Sequence, residues 1–477
     1  MGARIEDSRH VAMDTQHLAS RLREIVGAEN VLDREVDLLV YEYDAGVDMA
    51  YPRLVCFPTS TRQVSDVVRF LHKQQVPFVP RGAGTNLSGG TVCKDAVIIE
   101  LSRINRILEI DYENQRAVVE PGVVNLHLVN EVARNGYLYA PDPASQKVST
   151  MGGNIGENSG GPHCLKYGVT TNHVLGLEVV LPDGEVIQVG GKALDSPGYD
   201  LTGVLVGSEG TFGIATKIIV RIIRQPEAIK TMLAIFDSLQ DAADTVSAII
   251  AAGIVPATLE MLDRAFIHAI EESLKCGYPL DAEAVLLIEM DGIRDGLDRL
   301  AGHVMDLCKE HKAREVRVAK SETEREQLWA GRRGAFGSLA RMAPNFLTLD
   351  GTVPRTKLPE VLAKVVEIAK KHGLKVANCL HAGDGNLHPC LLYDERDAAA
   401  KKATRIAGFE ILQACADAGG TLSGEHGIGI EKQNAMSFVF SDSDLDAMQR
   451  VKDAFDPADL CNPGKIFPTE EPSADEK

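Results

Sequence analysis

The stretch Pro80-Arg81-Gly82-Ala83-Gly84-Thr85-Asn86-Leu87-Ser88-Gly89-Gly90 decides how the first half of this chain is read. It follows an extended run at 77–80, and its glycines let backbone N–H groups approach anionic oxygens closely. Arg81 adds a fixed positive charge. Two more glycine clusters follow, Met151-Gly152-Gly153-Asn154-Ile155-Gly156-Glu157-Asn158-Ser159-Gly160-Gly161 and Gly207-Ser208-Glu209-Gly210-Thr211-Phe212-Gly213. One such loop is an ordinary turn; three between Gly82 and Gly213, each expected beside a strand, point to a bound dinucleotide. They form no Rossmann fingerprint, because Gly82-x-Gly84 lacks a third glycine at the required spacing and no helix opens straight after it. No G-K-[ST] is present, which excludes a Walker loop.

Outward from the loops, hydrophobic periodicity divides the chain. An amphipathic helix is expected over 15–26, with Leu18, Leu22 and Val26 on one stripe. Strands are expected over 54–57, 77–80, 96–101 and 115–120, with helices over 61–74 and 124–134. Residues 139–172 read as a long loop-rich stretch, and 174–181 with 185–189 as a hairpin around Asp183-Gly184. A single strand over 212–223 ends before Pro226, the expected domain boundary. Beyond it, strand–helix–strand occurs twice between 231 and 319, the ferredoxin-like split unit. Helices over 321–341, 358–371, 399–418 and 443–455 and strands over 346–349, 374–380 and 387–392 complete the pattern. The expected units are an N-terminal helical segment (1–49), a cofactor domain (50–226), a substrate domain (227–430) and a C-terminal segment (431–477).

With 477 residues, the chain suits two to four domains at ~150 residues each. Its apolar share of 44% and charged share of 25% are those of an ordinary globular protein. A net charge of −18 argues against nucleic acid or an anionic membrane as partner. It leaves room for an anionic substrate if a few cations are placed locally. The nine cysteines are scattered and form no C-x-x-C, so disulfide, zinc-knuckle and iron–sulfur readings fail and a reducing, cytoplasmic compartment is expected. No apolar run is long enough to span a membrane, the first ten residues lack a signal core, and the acidic tail from Thr469 is expected to fray.

A second constellation lies in the later half. His381-Ala382-Gly383-Asp384-Gly385-Asn386-Leu387-His388 sets two imidazoles on either side of a tight turn, and Ser423-Gly424-Glu425-His426-Gly427-Ile428-Gly429 sets a carboxylate beside another. Two histidines and a glutamate suit a divalent metal with open positions, such as Zn²⁺, Fe²⁺ or Mn²⁺. Taken alone, the same residues also allow a metal-dependent hydrolase, or two turns whose histidines cap local backbone.

In this order, the three glycine loops resemble the FAD-binding domain of the vanillyl-alcohol oxidase (p-cresol methylhydroxylase-type) flavoproteins. The H-A-G-D-G-N-x-H and G-E-H-G-I-G motifs, with Leu328-Trp329-Ala330-Gly331-Arg332, Asp350-Gly351-Thr352-Val353-Pro354, Phe455-Asp456-Pro457 and Asn462-Pro463-Gly464-Lys465, resemble that group's FAD-linked 2-hydroxyacid dehydrogenase branch. This branch includes D-lactate dehydrogenase, D-2-hydroxyglutarate dehydrogenase and the glycolate oxidase catalytic subunit; Trp329-Ala330-Gly331-Arg332, Asp350-Gly351-Thr352-Val353-Pro354 and Ala144-Ser145-Gln146 look most like the last. The likeness runs from about Asp33 to Phe467. It implies an α+β protein, a PCMH-type FAD domain followed by a ferredoxin-like cap domain, with the C-terminal segment returning to the flavin.

The resemblance also implies roles. FAD contacts are expected from Pro80, Arg81, Gly82, Ala83, Gly84, Thr85, Asn86 and Gly89 in the first loop, and from Pro141. The later loops add Met151, Gly152, Gly153, Gly156, Asn158, Ser159, Gly160, Glu209, Gly210 and Ile214, and the C-terminal segment adds Asn462. Some relatives attach FAD through a His in the first loop; here Thr85 and Asn86 follow the glycines and no His is present, so the resemblance implies non-covalent FAD, with His163-Cys164 beside the second loop as the alternative attachment point. His381, His388 and Glu425 map to metal ligands, His426 to the catalytic base and Arg332 to the substrate carboxylate. Hydroxyglutarate enzymes carry Lys and Asn where this chain has Thr348 and Cys390, which favours a small 2-hydroxy acid, glycolate or D-lactate, over a larger one. The electron acceptor is expected to be an iron–sulfur subunit or an electron-transfer flavoprotein, with any inner-membrane association made through partners. A non-enzymatic flavin relay is the remaining alternative.

Overall fold

The computed structural model describes residues 14–193 and 197–469; the N-terminal decapeptide and the tail beyond Thr469 lie outside them. The described residues fold as an α+β protein around four sheets. The first sheet runs Val31–Leu32, Leu54–Cys56, Val97–Glu100, Phe78–Arg81, and its last three strands are parallel. Helix Thr61–Lys73 is capped by Ser60, which accepts from Gln63 N. It packs with helix Thr15–Val26 through Leu18, Leu22, Val64, Val67, Val68 and Leu71, so the N-terminal helix belongs to the first core. The C-terminal segment closes the same sheet: Phe78 N donates to Leu460 O and Asn462 N to Phe78 O, each at 2.8 Å.

A five-stranded antiparallel sheet follows, in the order Ile107–Asp111, Arg116–Val119, Ile214–Arg221, Val174–Val180, Val186–Gly190. Ile107–Asp111 escapes the periodicity reading because its side chains are only half-buried and charged residues interrupt it. The expected strand over 212–223 divides in two. Ile214–Arg221 joins the five-stranded sheet, and Ile223–Arg224 pairs with Tyr137–Leu138.

The second half is one seven-stranded antiparallel sheet, ordered Glu315–Val318, Ala228–Phe236, Ala284–Gly292, Thr258–Asp263, Lys375–His381, Asn386–Tyr393, Asn345–Thr348. Its first four strands have the 4-1-3-2 order of a ferredoxin-like unit, and the hairpin Lys375–His381/Asn386–Tyr393 extends it. Helices Leu239–Ala251, Arg294–Glu310, Leu358–Lys371 and Ala398–Asp417 pack on one face. Helix Arg264–Ser273, absent from the sequence expectation, covers the other with Ala335 and Leu339.

Two further expectations are corrected. The loop-rich stretch 139–172 contains the helix Met151–Glu157, whose Thr150 N-cap and buried Met151 and Ile155 outweigh the low helix propensity of its three glycines. The helix expected over 321–341 breaks at Gly334, leaving Glu322–Arg333 and Ala335–Ser338. A Cβ at Gly334 would lie 2.4 Å from Leu274 Cδ1, the end of a flexible side chain, and 3.1 Å from Ala330 O.

Candidate active site

Strand alternation puts His381 and His388 on one face. His381 pairs with Asn386 and also with Glu260, while Cys379 pairs with His388. Cys379, Cys390 and Leu392 on that face enter the apolar cluster under helix Arg264–Ser273; the histidines and Glu260 continue the row towards the first half of the molecule. The loop bearing Glu425 and His426 is built around Asp350, which is fully buried. Its carboxylate accepts from the backbone N–H groups of Gly424, Glu425 and His426, from Ser423 Oγ and from Asn386 Nδ2. Lys432 Nζ lies 3.4 Å away. From the other side, Glu209 accepts from Ile428 N at 2.6 Å and Gly429 N at 2.7 Å, and Ser88 Oγ donates to His426 O. Both halves of the molecule therefore fix one turn.

Glu425 Oε1 lies 3.1 Å from both His381 Nε2 and His388 Nε2. The far nitrogens are already engaged. His381 Nδ1 is 2.7 Å from Glu260 Oε1, and His388 Nδ1 is 3.2 Å from Leu349 O. Those acceptors fix the Nδ1 ends as donors, so a cation placed beside Glu425 would find both Nε2 atoms aimed at it. His388 Nε2 is buried and lacks a well-formed hydrogen bond, though Glu425 Oε1 lies 3.1 Å away. A converging carboxylate and two imidazole nitrogens, one of them orphaned, fit a divalent cation. A second group, Asp350, His388 and His426, also converges, but the Asp350 oxygens are taken up by the loop. The first group is therefore the ligand set the residues fit.

Glu260 is the link that the motifs do not show. Its other oxygen accepts from Arg332 Nε at 2.6 Å, so one buried carboxylate fixes a histidine and an arginine together. Burial would raise its pKa, yet Arg332 and His381 hold it below the usual carboxylate range. His426 stacks on His388 with centroids 4.9 Å apart. Burial lowers its pKa to about 4, opposed by Asp350, and so keeps the ring neutral and able to accept a proton.

A groove connects these residues with the glycine loops. Its narrow end, about 70 Å³, is lined by Pro80, Arg81, Gly82, Gly152, Gly153, Gly156, Glu209, Gly210 and Ile214, with Leu177, Val179 and Leu205 as apolar wall. Its wide end, about 360 Å³, is lined by Gly82, Ala83, Gly84, Thr85, Asn86, Gly153, Ser159 and Gly160, and reaches Arg332, His381, His388, Glu425 and His426. Gly82, Thr91, Gly153 and Glu157 border both ends. A Cβ at Gly153 or Gly156 would touch only Thr150 Oγ1 at 3.4 Å or Gly210 N at 3.9 Å, so these glycines keep the groove open. Asn86 Nδ2 and Asn154 Nδ2 on its wall are buried donors without partners. A long, acceptor-rich cofactor such as FAD fits this cradle.

Five of the expected contact residues stand behind the groove wall. Gly89 abuts Ile430, Pro141 O accepts from Asn125 Nδ2, and Met151 lies in the core. Asn158 is the left-handed C-cap of its helix. Asn462 Nδ2 donates to Gly90 O and Glu209 O. Glu209 borders the groove, but its carboxylate serves the Ile428–Gly429 turn. Arg81 directs its guanidinium to Tyr43 O and the Tyr41 ring.

Two family models match the chain: an FAD binding domain over residues 52–190, and the C-terminal domain of FAD linked oxidases over residues 225–466. The chain belongs to the FAD-linked oxidases. This FAD-linked oxidase is 41% identical to the glycolate oxidase subunit GlcD of Escherichia coli (strain K12), covering 96% of the chain and 92% of that relative. It is 32% identical to a D-lactate dehydrogenase of Anaerostipes hadrus, covering 87% and 90%. The structure of p-cresol methylhydroxylase with substrate bound superposes with a TM-score of 0.80 at 18% identity, over 96% of this chain and 98% of that one. The oxidase thus has a PCMH-type FAD-binding fold and is a flavin-dependent oxidoreductase. Among its described residues no helix is long and apolar enough to cross a membrane.

Proposed function

We propose that this FAD-linked oxidase converts a small 2-hydroxy acid, glycolate or D-lactate, to the 2-oxo acid and passes the electrons to a protein partner. The observation that carries the reading is the shared cavity: Arg332, the neutral His426 and the His381–His388–Glu425 set open onto one space that runs into the glycine groove. Arg332 is the only lysine or arginine among the described residues lining that space. It can bind one carboxylate through a charge-assisted pair. Phe336, Phe346 and Thr348 line the same space and offer no cation for a second carboxylate, which supports a short monocarboxylate over 2-hydroxyglutarate. The names of the two relatives, glycolate oxidase subunit and D-lactate dehydrogenase, support the same class.

His381, His388 and Glu425 would hold the metal, and the groove from Gly82 to Ile214 would hold non-covalent FAD. When bound, these groups supply a Lewis acid that acidifies the substrate hydroxyl and an acceptor for the hydride from Cα. Arg332 orients the carboxylate, and its own orientation is set by Glu260. His426 takes the hydroxyl proton, with its backbone fixed by Asp350. Phe336 and Phe346 narrow the space against water. A partner subunit, iron–sulfur or electron-transfer flavoprotein, fits a chain with no C-x-x-C and a relative named as a subunit. In the test, His426→Ala should keep FAD and metal but lose substrate-driven bleaching of the flavin, and normal bleaching would remove His426 as the base. Glu425→Ala should lose the metal on elemental analysis; full metal content would remove it from the ligand set.

A further inference from the structure

His163 lies outside the glycine groove and the metal-type set, yet it is tied to three pieces of chain that wall the reaction cavity. Its Nδ1 is 2.7 Å from Asp142 Oδ2, and Asp142 precedes the cavity residues Pro143, Ala144 and Ser145. Its own segment supplies Ser159, Gly160 and Pro162 to the same wall. Across the seam between the halves, Nε2 lies 3.5 Å from Glu289 Oε1, and the ring stacks on Trp329 with centroids 5.6 Å apart and planes 19° from parallel. Glu289 also accepts from Trp329 Nε1 at 2.8 Å, from the Thr231 hydroxyl and from Arg325 Nε and a terminal nitrogen. Trp329 sits three residues before Arg332 on helix Glu322–Arg333, and therefore close to the same face. Carboxylates against both ring nitrogens call for a donor at each, which only the imidazolium provides. Burial opposes that charge, but Asp142 and Glu289 outweigh it.

We propose that His163 is a positioning residue: clamped between Asp142 and Glu289 and stacked on Trp329, it seats the Arg332 helix against the cofactor half of the molecule. The proposal rests on the reading that Arg332 binds the substrate carboxylate. Lys166 Nζ and Tyr167 Oη, both bonded to Asp291, extend the same seam and would keep the halves together when His163 is replaced.

Trp329 is the only tryptophan of the chain, so its emission reports this ring's surroundings, where His163 stacks and Glu289 accepts from Nε1. A stacked imidazolium quenches indole emission, and His163→Ala in the FAD- and metal-loaded protein should raise it. In anaerobic flavin reduction, the half-saturating concentration of the 2-hydroxy acid should rise by roughly tenfold while the limiting rate falls less than about threefold, because the arginine is displaced and the base is not. Unchanged emission would overturn the stacking contact, and unchanged half-saturation would overturn the positioning role. Arg332→Ala, measured alongside, separates the two readings: if it too leaves half-saturation unchanged, the carboxylate assignment fails. Should His163→Ala fail to load FAD, Asp142→Asn keeps the side-chain shape and carries the same two expectations at smaller amplitude; no change in either would overturn the proposal.

Discussion

At the scale of single residues, Glu260 sets the geometry, because it accepts from Arg332 with one oxygen and His381 with the other. Removing its charge leaves a buried arginine without a counter-ion and frees the His381 ring. Glu260→Gln should therefore lower metal affinity by about 10- to 100-fold, as loss of a carboxylate behind a metal-binding histidine does. It should also raise the half-saturating substrate concentration; metal titration and flavin reduction measure the two effects. Asp350 is the corresponding hub for the Glu425–His426 turn. Asp350→Asn strands Lys432, and breaking a buried pair of this kind costs about 3–5 kcal/mol, to be read from denaturant unfolding. His381, His388, Glu425 and His426 were legible in the sequence because two glycine-rich turns crowd them into short motifs. Glu260 was not, since it stands alone between apolar residues, and Asp350 stood in a quoted motif that gave no sign of its hold on the Glu425–His426 turn. A signal was available all the same. A lone carboxylate inside an apolar strand, as in Thr258-Leu259-Glu260-Met261-Leu262 or Leu286-Leu287-Ile288-Glu289, cannot stay buried without partners, so its presence announces a cation nearby.

At the scale of elements, the helix Met151–Glu157 shows a conflict between stability and binding. Alanine is the better helix former by about 1 kcal/mol, and a Cβ at Gly153 would meet only Thr150 Oγ1 at 3.4 Å. Gly153→Ala should thus leave stability unchanged or slightly raised while weakening FAD by at least about tenfold, because the methyl group projects into the groove at the cost of close backbone approach. Flavin retention on gel filtration, with thermal unfolding of the flavin-free protein, tests both halves of that statement. The hairpin carrying the two histidines was expected as strands over 374–380 and 387–392 flanking a glycine turn, and is found over Lys375–His381 and Asn386–Tyr393. The glycine helix was not expected, because its propensity points the other way and only the Thr150 cap and the buried Met151 and Ile155 hold it.

At the scale of the whole molecule, the active cavity is a seam between two halves, and charge decides how the seam behaves. A protein of net charge −18 places Arg332 in the cavity and the His163 cation at its edge. His163 faces Asp142 and Glu289, with Arg325 on the far side of Glu289, and burial opposed by these carboxylates leaves its pKa raised to about 10. A histidine raised on folding contributes stability that is complete below its unfolded value of ~6.5 and is lost as pH rises towards the folded one. Stability should accordingly fall between about pH 6.5 and about pH 10, and His163→Gln should remove that part of the slope. The return of the C-terminal segment was expected from the resemblance; its bonding to Phe78 through Leu460 and Asn462 was not, since so short a contact leaves no pattern. Metal-assisted oxidation of a short 2-hydroxy monocarboxylate at this seam is checked by anaerobic bleaching of bound FAD with a panel of glycolate, both lactates and 2-hydroxyglutarate, before and after chelation. Bleaching by glycolate or D-lactate that is lost on chelation and restored by metal is the predicted result. Bleaching by 2-hydroxyglutarate alone, or bleaching indifferent to chelation, would contradict it.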